Sequence, residues 1–176
     1  MIKIKDKTFV VYLSAEKLLT RIQELANEIS NDYKDKDPLV IGVLNGSMYF
    51  LTELTLQLQK EVEIAFVKYK SYEGTTSSGE FQVAMPFDER VAGRDVLLIE
   101  DIVDTGRTIQ KIKTDIEQFR PASVEVISLL LKPDVFKDKF PVKYVGFEIP
   151  EKFVLGFGLD YDGRGRNLRD IYVLSE

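Results

Sequence analysis

The chain has 176 residues, a formal net charge of −5 and neither cysteine nor histidine, which excludes a disulfide framework, a thiol nucleophile, a Ser-His-Asp triad and the usual zinc sites. Any bound metal must therefore take oxygen ligands, which favours Mg²⁺, and acid–base chemistry falls to Asp, Glu, Lys or Tyr. The net negative charge argues against nucleic-acid binding. The chain contains neither an apolar run long enough to span a bilayer nor the apolar core of a signal peptide, so we expect a cytoplasmic protein with no membrane partner. Its length suits a single domain over residues 1–176.

The chain begins with a predicted strand and helix. Residues 9–13 form an apolar run that predicts a strand. Ser14 follows and suits an N-cap, because its hydroxyl can accept a hydrogen bond from the first turn of a helix. Apolar residues then recur at helical spacing, which predicts an amphipathic helix that packs on the core (Leu18, Ile22, Leu25, Ala26 and Ile29).

A small polar loop divides the next predicted strand from its helix. Residues 38–44 (Pro-Leu-Val-Ile-Gly-Val-Leu) indicate a buried strand, and the apolar spacing over residues 48–58 indicates a helix. Between them, the backbone N–H groups of Asn45, Gly46 and Ser47 could cradle an anion. A simple turn is the alternative.

A long polar segment separates two further predicted strands, at residues 62–69 and 81–85. It reads Lys-Ser-Tyr-Glu-Gly-Thr-Thr-Ser-Ser-Gly over residues 70–79. The segment is either a long hairpin loop or a lid, since long loops inside compact domains often close over a ligand.

The stretch from residue 96 to residue 108 is the most informative part of the chain. Residues 96–99 (Val-Leu-Leu-Ile) have the continuous apolar character of a strand buried on both faces, and Glu100 and Asp101 are expected at its carboxyl end. A helix is predicted after Thr108, where apolar residues recur at helical spacing (Ile109, Ile112, Ile116 and Phe119). In open α/β sheets, ligands bind at this end of the strands.

The acidic loop in this stretch carries groups that suit a phosphorylated sugar. The amino terminus of a helix offers free N–H groups to a phosphate, and Gly106 lets the backbone approach closely. Glu100 and Asp101 could accept hydrogen bonds from sugar hydroxyls, directly or around a hydrated Mg²⁺. Asp104 could act as a general base. The alternative is a solvated acidic turn.

The last third of the chain is predicted to add strands at residues 124–131 and 171–174. Lys132 directly follows the first of these, where a lysine is usually a solvated cap but can also reach into the crevice. By themselves, residues 144–161 predict a hairpin packed on the sheet, with Phe153 in the core.

Two sets of motifs carry a resemblance to a known family. Residues 100–108 (Glu-Asp-Ile-Val-Asp-Thr-Gly-Arg-Thr) resemble the loop with which type I phosphoribosyltransferases bind 5-phosphoribosyl 1-pyrophosphate (PRPP). Gly-Phe-Glu-Ile-Pro at 146–150, Lys-Phe-Val at 152–154 and Gly-Leu-Asp-Tyr at 158–161 are similar to the hypoxanthine branch rather than the adenine or orotate branches. The resemblance covers nearly the whole chain.

The resemblance implies roles for the acidic loop. Asp104 would be the catalytic base, and Glu100 and Asp101 would bind the ribose hydroxyls and support Mg²⁺. The 5′-phosphate of PRPP would lie against the turn at the start of the helix (Thr105, Gly106, Arg107 and Thr108).

Two further loops are implied on the side of the leaving group. Leu44, Asn45 and Gly46 match the pyrophosphate loop, whose first peptide bond is often cis in the family. Many relatives carry lysine where this chain has Asn45, so the side chain at that position has lost a charge. Ser71 and Tyr72 match a pair in the family's mobile catalytic loop.

The remaining matches concern the purine. Lys132 would donate to the exocyclic oxygen of a 6-oxopurine, since an ammonium has no lone pair with which to accept from a 6-amino group. Three consecutive residues would bind the base, with the phenylalanine ring stacked on it and the valine backbone at its edge (Lys152, Phe153 and Val154). Asp160 would help to hold Mg²⁺, and Arg166 would contact pyrophosphate.

The resemblance implies an α/β fold: a twisted, mainly parallel sheet with helices on both faces and a small hood formed by residues 1–14 and 150–176. It also implies Mg²⁺-dependent transfer of phosphoribose from PRPP to hypoxanthine or guanine, with release of pyrophosphate, in a homodimer or homotetramer. Two alternatives stay open, a xanthine-preferring enzyme and a non-catalytic protein that senses PRPP.

Overall fold

The computed structural model describes residues 1–71, 81–136 and 140–175. The strands are β1 Ile2–Ile4, β2 Lys7–Leu13, β3 Leu39–Leu44, β4 Glu63–Ser71, β5 Phe81–Met85, β6 Asp95–Val103, β7 Ser123–Leu131, β8 Tyr144–Glu148, β9 Val154–Leu155 and β10 Ile171–Leu174. The helices are α1 Ala15–Asp32, α2 Met48–Leu56, α3 Arg107–Glu117 and α4 Pro133–Phe136, with a 3₁₀ turn at Glu89–Val91.

Six strands form the central sheet in the order β5-β4-β3-β6-β7-β8. Every pair in it is parallel except β4 with β5, which is antiparallel. The apolar runs at residues 39–44 and 96–99 occupy the middle of this sheet, where both strand faces are covered and no polar alternation is needed. The predicted mainly parallel sheet is confirmed.

Helices cover both faces of the central sheet. Alternate side chains of β3 point to opposite sides, so Val40 packs with α1 and α2 while Leu39 and Ile41 pack with α3. The predicted apolar stripes of α1 and α3 are buried in these two clusters. The Ser14 side chain accepts a hydrogen bond from the Lys17 N–H, as expected of an N-cap.

A second sheet of four strands, in the order β1-β2-β10-β9, joins the two ends of the chain. β10 lies between β2 and β9 and is antiparallel to both. Buried residues on β9, on β10 and in the segment after β9 belong to the same apolar cluster as α1 and α2 (Val154, Phe157, Leu159 and Ile171). This sheet is therefore packed on the side of the central sheet that α1 and α2 cover.

Two predictions from local pattern were wrong. β6 continues to Val103 because its ladder with β7 extends to the pairs Ile102–Leu130 and Val103–Leu131, so the first two carboxylates lie inside the strand rather than after it. Residues 144–161 are not a hairpin, because β8 pairs with β7 in the central sheet whereas β9 pairs with β10 in the other. Across the described ranges, no helix is both long and apolar enough to cross a membrane.

Candidate active site

The loops that follow β3, β6 and β7 meet at one edge of the central sheet. These strands are parallel neighbours, so their carboxyl ends point the same way. Residues 44–47, residues 100–108 and Lys132, which are far apart in the sequence, therefore lie together at the carboxyl ends of these strands.

Asp104 and Lys132 form an ion pair at this edge. Lys132 Nζ donates to Asp104 Oδ2 at 2.7 Å, and the Lys132 N–H donates to the Val103 carbonyl at 3.0 Å. The Lys132 side chain is 11% exposed and that of Asp104 is 45% exposed. The lysine is thus held in place rather than solvated, and a strong donor and a strong acceptor lie side by side.

Glu100 and Asp101 are buried adjacent carboxylates in the last half of β6. Burial, followed by the charge of Asp101, raises the pKa of the Glu100 carboxyl well above its usual range. Glu100 Oε2 is buried without a hydrogen-bond partner among the described residues, whereas Asp101 Oδ1 accepts from the Ile102 N–H at 2.8 Å. A buried oxygen without a partner is costly unless a ligand supplies one.

The turn from β6 into α3 surrounds a cavity of about 280 Å³, lined by every residue from Glu100 to Ile109. Thr105, Arg107 and Thr108, the residues predicted to bind a phosphate, are part of that lining. Gly106 precedes the helix with φ of 72°, and a Cβ there would fall 2.7 Å from the Phe136 ring, so only glycine fits. The first turn of α3 contains no acidic residue to neutralise its N–H groups.

Residues 44–47 form a tightly enclosed loop that begins with a cis peptide between Leu44 and Asn45, as the resemblance implied. A Cβ on Gly46 would lie 1.6 Å from Asp101 Oδ2, and a Cβ on Gly158 would lie 1.9 Å from the Gly46 carbonyl oxygen. The absence of side chains at these two glycines lets three segments touch: this loop, β6 and the segment after β9.

The predicted purine-binding residues lie on and before β9. The Phe153 ring is 45% exposed, so it is not a core residue, and its neighbours Phe9 and Tyr161 have ring centroids 6.3 and 5.7 Å away. Val154 is buried, and the Lys152 ammonium lies 6.0 Å from the centre of the Tyr12 ring. An exposed ring held by two others is a suitable stacking platform.

Asp160 and Arg166 bind each other. One Arg166 nitrogen lies 2.7 Å from Asp160 Oδ1, and the other donates to the Gly158 carbonyl at 2.7 Å. Asp160 Oδ2 accepts from the Gly163 N–H at 2.6 Å. The predicted metal ligand and the predicted pyrophosphate ligand are therefore close together, each fixed by the other.

The donor set at the sheet edge fits a hard cation only in part. Glu100 and Asp101 offer carboxylate oxygens, one of them without a partner, and Mg²⁺ commonly takes one or two carboxylates and completes its shell with water and substrate phosphates. Within the part of the chain that is described, no group of three acidic side chains is placed to hold a metal ion, so Asp160 does not join Glu100 and Asp101 in a shared site.

Other predicted and unpredicted residues complete the site. Ser71 is the last residue of β4, and Tyr72 lies outside the described residues. Sequence reasoning missed Lys68, whose Nζ donates to Asn45 Oδ1 at 3.0 Å. The parallel register that pairs Leu44 with Lys68 explains this contact, but strand pairing is not visible in a single sequence.

Comparison with known proteins agrees with this geometry. The family model described as a phosphoribosyl transferase domain matches residues 12–162. The hypoxanthine-guanine phosphoribosyltransferase of Lactococcus lactis is 42% identical over 94% of this chain and 90% of that protein, and the one from Streptococcus agalactiae is 42% identical over 94% and 93%. The structure of a Staphylococcus aureus hypoxanthine phosphoribosyltransferase has a TM-score of 0.88 at 36% identity and covers 94% of this chain and 91% of its own.

A hypoxanthine phosphoribosyltransferase from Trypanosoma cruzi, solved in complex with the product IMP, also has a TM-score of 0.88, with 34% identity over 99% of this chain and 98% of its own. The chain belongs to the phosphoribosyltransferase family, with the type I fold. The resemblance to the hypoxanthine-guanine branch, inferred from residues 146–161, is confirmed by these relatives.

Proposed function

We propose that this protein catalyses the reversible, Mg²⁺-dependent transfer of phosphoribose from PRPP to N9 of hypoxanthine or guanine. The products are IMP or GMP and pyrophosphate, so the reaction salvages free purines. The observation that carries this proposal is the pair of Lys132 and Asp104, 2.7 Å apart at the edge of the sheet.

That pair matches one edge of a 6-oxopurine. The exocyclic oxygen at C6 and the ring nitrogen N7 are neighbours on the same edge, one an acceptor and the other able to carry a proton. Lys132 presents an ammonium donor to the oxygen, and Asp104 presents a carboxylate acceptor to the N7 proton. Two adjacent protein groups of opposite character can therefore bind both positions together.

The phosphoribosyl group would be held by the acidic loop. The N–H groups at the start of α3 and the loop hydroxyls bind the 5′-phosphate, and Glu100 and Asp101 accept hydrogen bonds from the ribose hydroxyls. N9 then forms a bond to C1 as the bond from C1 to pyrophosphate breaks, while Asp104 takes the proton from N7. When bound, Mg²⁺ would be held by Glu100 and Asp101 and would neutralise the charge of the leaving pyrophosphate.

We infer that the four-stranded sheet acts as a hood within one domain of residues 1–176, with residues 1–14 and 150–176 closing the purine side. Support comes from Phe153, which is partly exposed and whose ring packs beside the rings of Phe9 and Tyr161. A purine stacked on this ring would present the edge that carries its C6 oxygen and N7 to Lys132 and Asp104. On the pyrophosphate side, Arg166 can exchange Asp160 for a phosphate oxygen.

A steady-state assay tests the function directly. PRPP and Mg²⁺ are supplied with hypoxanthine, guanine, xanthine or adenine, and pyrophosphate release is followed. We expect turnover with the first two bases and none with adenine. Preference for xanthine would correct the substrate, and PRPP binding without turnover on any base would identify a PRPP sensor and refute the enzyme assignment.

We also propose that the protein assembles as a homodimer or homotetramer. The exposed sides of Ile64 and Phe66 on β4 and of Met85 on β5 are apolar, each between 39% and 42% exposed. Exposed apolar side chains gathered on one sheet edge favour contact with another protein surface. Light scattering coupled to size-exclusion chromatography measures the mass, and a monomer at micromolar concentration would contradict the proposal.

A further inference from the structure

We propose that Lys68 binds the diphosphate group of PRPP and so supplies the positive charge of the loop at residues 44–47. This inference rests on the proposed function, because it assigns a further substrate-binding residue for the same reaction. Its basis is a contact between two strands that the motifs of the sequence do not reveal.

The β-sheet register brings Lys68 to the loop. β3 and β4 are parallel, and Leu44, the last residue of β3, pairs with Lys68. From there the Lys68 ammonium reaches forward and donates to Asn45 Oδ1 at 3.0 Å. The lysine is half-buried, so its stem lies against the sheet while its charged end meets the loop.

The charge of Lys68 is not neutralised by a carboxylate. Among the residues that the structure describes, its polar partner is the neutral amide of Asn45. Arg166, by contrast, already binds Asp160 at 2.7 Å, and Lys132 already binds Asp104 at 2.7 Å. Of these three described cations, Lys68 is therefore the one whose charge is still available to an incoming anion.

The loop itself needs such a cation. Its backbone N–H groups can donate to phosphate oxygens, but Asn45 is neutral and the carboxylate of Asp101 presses against Gly46. A diphosphate brought to this place meets that negative charge. An ammonium on a flexible four-carbon stem can turn from the amide oxygen of Asn45 to a phosphate oxygen with little movement.

The test replaces Lys68 with methionine, which keeps the stem and removes the charge. For Lys68→Met we expect KM for PRPP, and KM for pyrophosphate in the reverse reaction, to rise on the order of tenfold, as expected for one lost charge-assisted hydrogen bond. KM for hypoxanthine should stay within about twofold. Lys34→Met is the matched control, because this exposed lysine lies 3.9 Å from Asp35 and is outside the site.

A second variant tests whether a positive charge at this position is what matters, whichever residue carries it. Because the Lys68 nitrogen and the Asn45 oxygen are 3.0 Å apart, a lysine at residue 45 can put its ammonium close to the same point. The double variant Asn45→Lys with Lys68→Met should therefore recover most of the lost PRPP affinity. A purely structural role for Lys68 predicts no such recovery.

The outcomes separate this inference from the proposed function. Turnover of the unaltered enzyme with hypoxanthine establishes the function independently of Lys68. If that turnover is present and Lys68→Met changes KM for PRPP no more than Lys34→Met does, the inference is overturned. It is equally overturned if the KM values for PRPP and hypoxanthine rise by the same factor, or if the double variant shows no recovery.

Discussion

Replacing Asp104 with asparagine tests the proposed general base while keeping the shape of the side chain. An amide cannot take the N7 proton, and loss of a general base typically lowers kcat on the order of 10²–10⁴-fold. PRPP affinity should change little, because the phosphate turn and the carboxylates of β6 are untouched. Single-turnover rates with saturating PRPP and hypoxanthine measure the chemical step without product release.

The structure bounds how much of that loss could come from unfolding. The pair joins an aspartate side chain that is 45% exposed to a lysine side chain that is 11% exposed, so it is worth more than a surface ion pair, about 1.5–3 kcal/mol. In a chain of this size each 1 kcal/mol shifts Tm by roughly 2–4 °C, so a thermal melt of the variant shows whether it is folded at the assay temperature. Asp134→Asn, an exposed position nearby, is the control. Turnover of Asp104→Asn within twofold of this control would refute the assignment.

Three further predictions concern the base, the loop and acid stability. Lys132→Ala should raise KM for hypoxanthine on the order of 10- to 100-fold without changing KM for PRPP; equal KM values for hypoxanthine would contradict its role. Gly46→Ala should lower kcat/KM for PRPP at least about tenfold, because the new methyl would lie 1.6 Å from an Asp101 oxygen and must displace it; unchanged kinetics would show that the loop is not used. The Ser123 hydroxyl lowers the pKa of Asp95 by hydrogen bonding its carboxylate, so this contribution to stability is present above the unfolded pKa of about 4 and is lost as pH falls through the lower folded value. Urea unfolding should therefore show that Ser123→Ala is destabilising at pH 7 and that its difference from the unaltered protein shrinks below about pH 4, and a difference independent of pH would refute this linkage.

The core of the fold was predictable because its strands and helices have local sequence patterns that indicate them. The apolar runs at 39–44 and 96–99 can be satisfied only where both faces are covered, and they became the two central strands. The helical spacing over α1 and α3 fixed which sides of those helices are buried. Each of these signals depends on residues a few positions apart, which a single sequence displays.

Features that depend on strand order could not be predicted in the same way. Asp104 and Lys132 are 28 residues apart, and Asn45 and Lys68 are 23 apart, so their contacts require knowledge of which strands are neighbours. The end of β6 was also missed, since Glu100 and Asp101 are poor strand residues by themselves and are kept in the strand by the ladder with β7. Tertiary pairing overrode local preference at the point where the site needs its carboxylates buried.

The pairing of Lys132 with Asp104 also bears on how the site would reject adenine. The nearly buried ammonium of Lys132 already has a carboxylate partner. When a purine binds, Lys132 exchanges that partner for the purine, so the binding free energy gained is only the difference between the two hydrogen bonds. A 6-oxopurine offers an acceptor to Lys132 and an N7 proton to Asp104, so both groups are satisfied after the exchange. A 6-amino group turns N–H donors toward the ammonium and would leave this desolvated charge without an acceptor. A mismatch of this kind discriminates between substrates far more strongly than a missing contact in an apolar pocket does. On this account, specificity for the 6-oxo group comes mainly from the penalty imposed on adenine, and only secondarily from attraction to hypoxanthine.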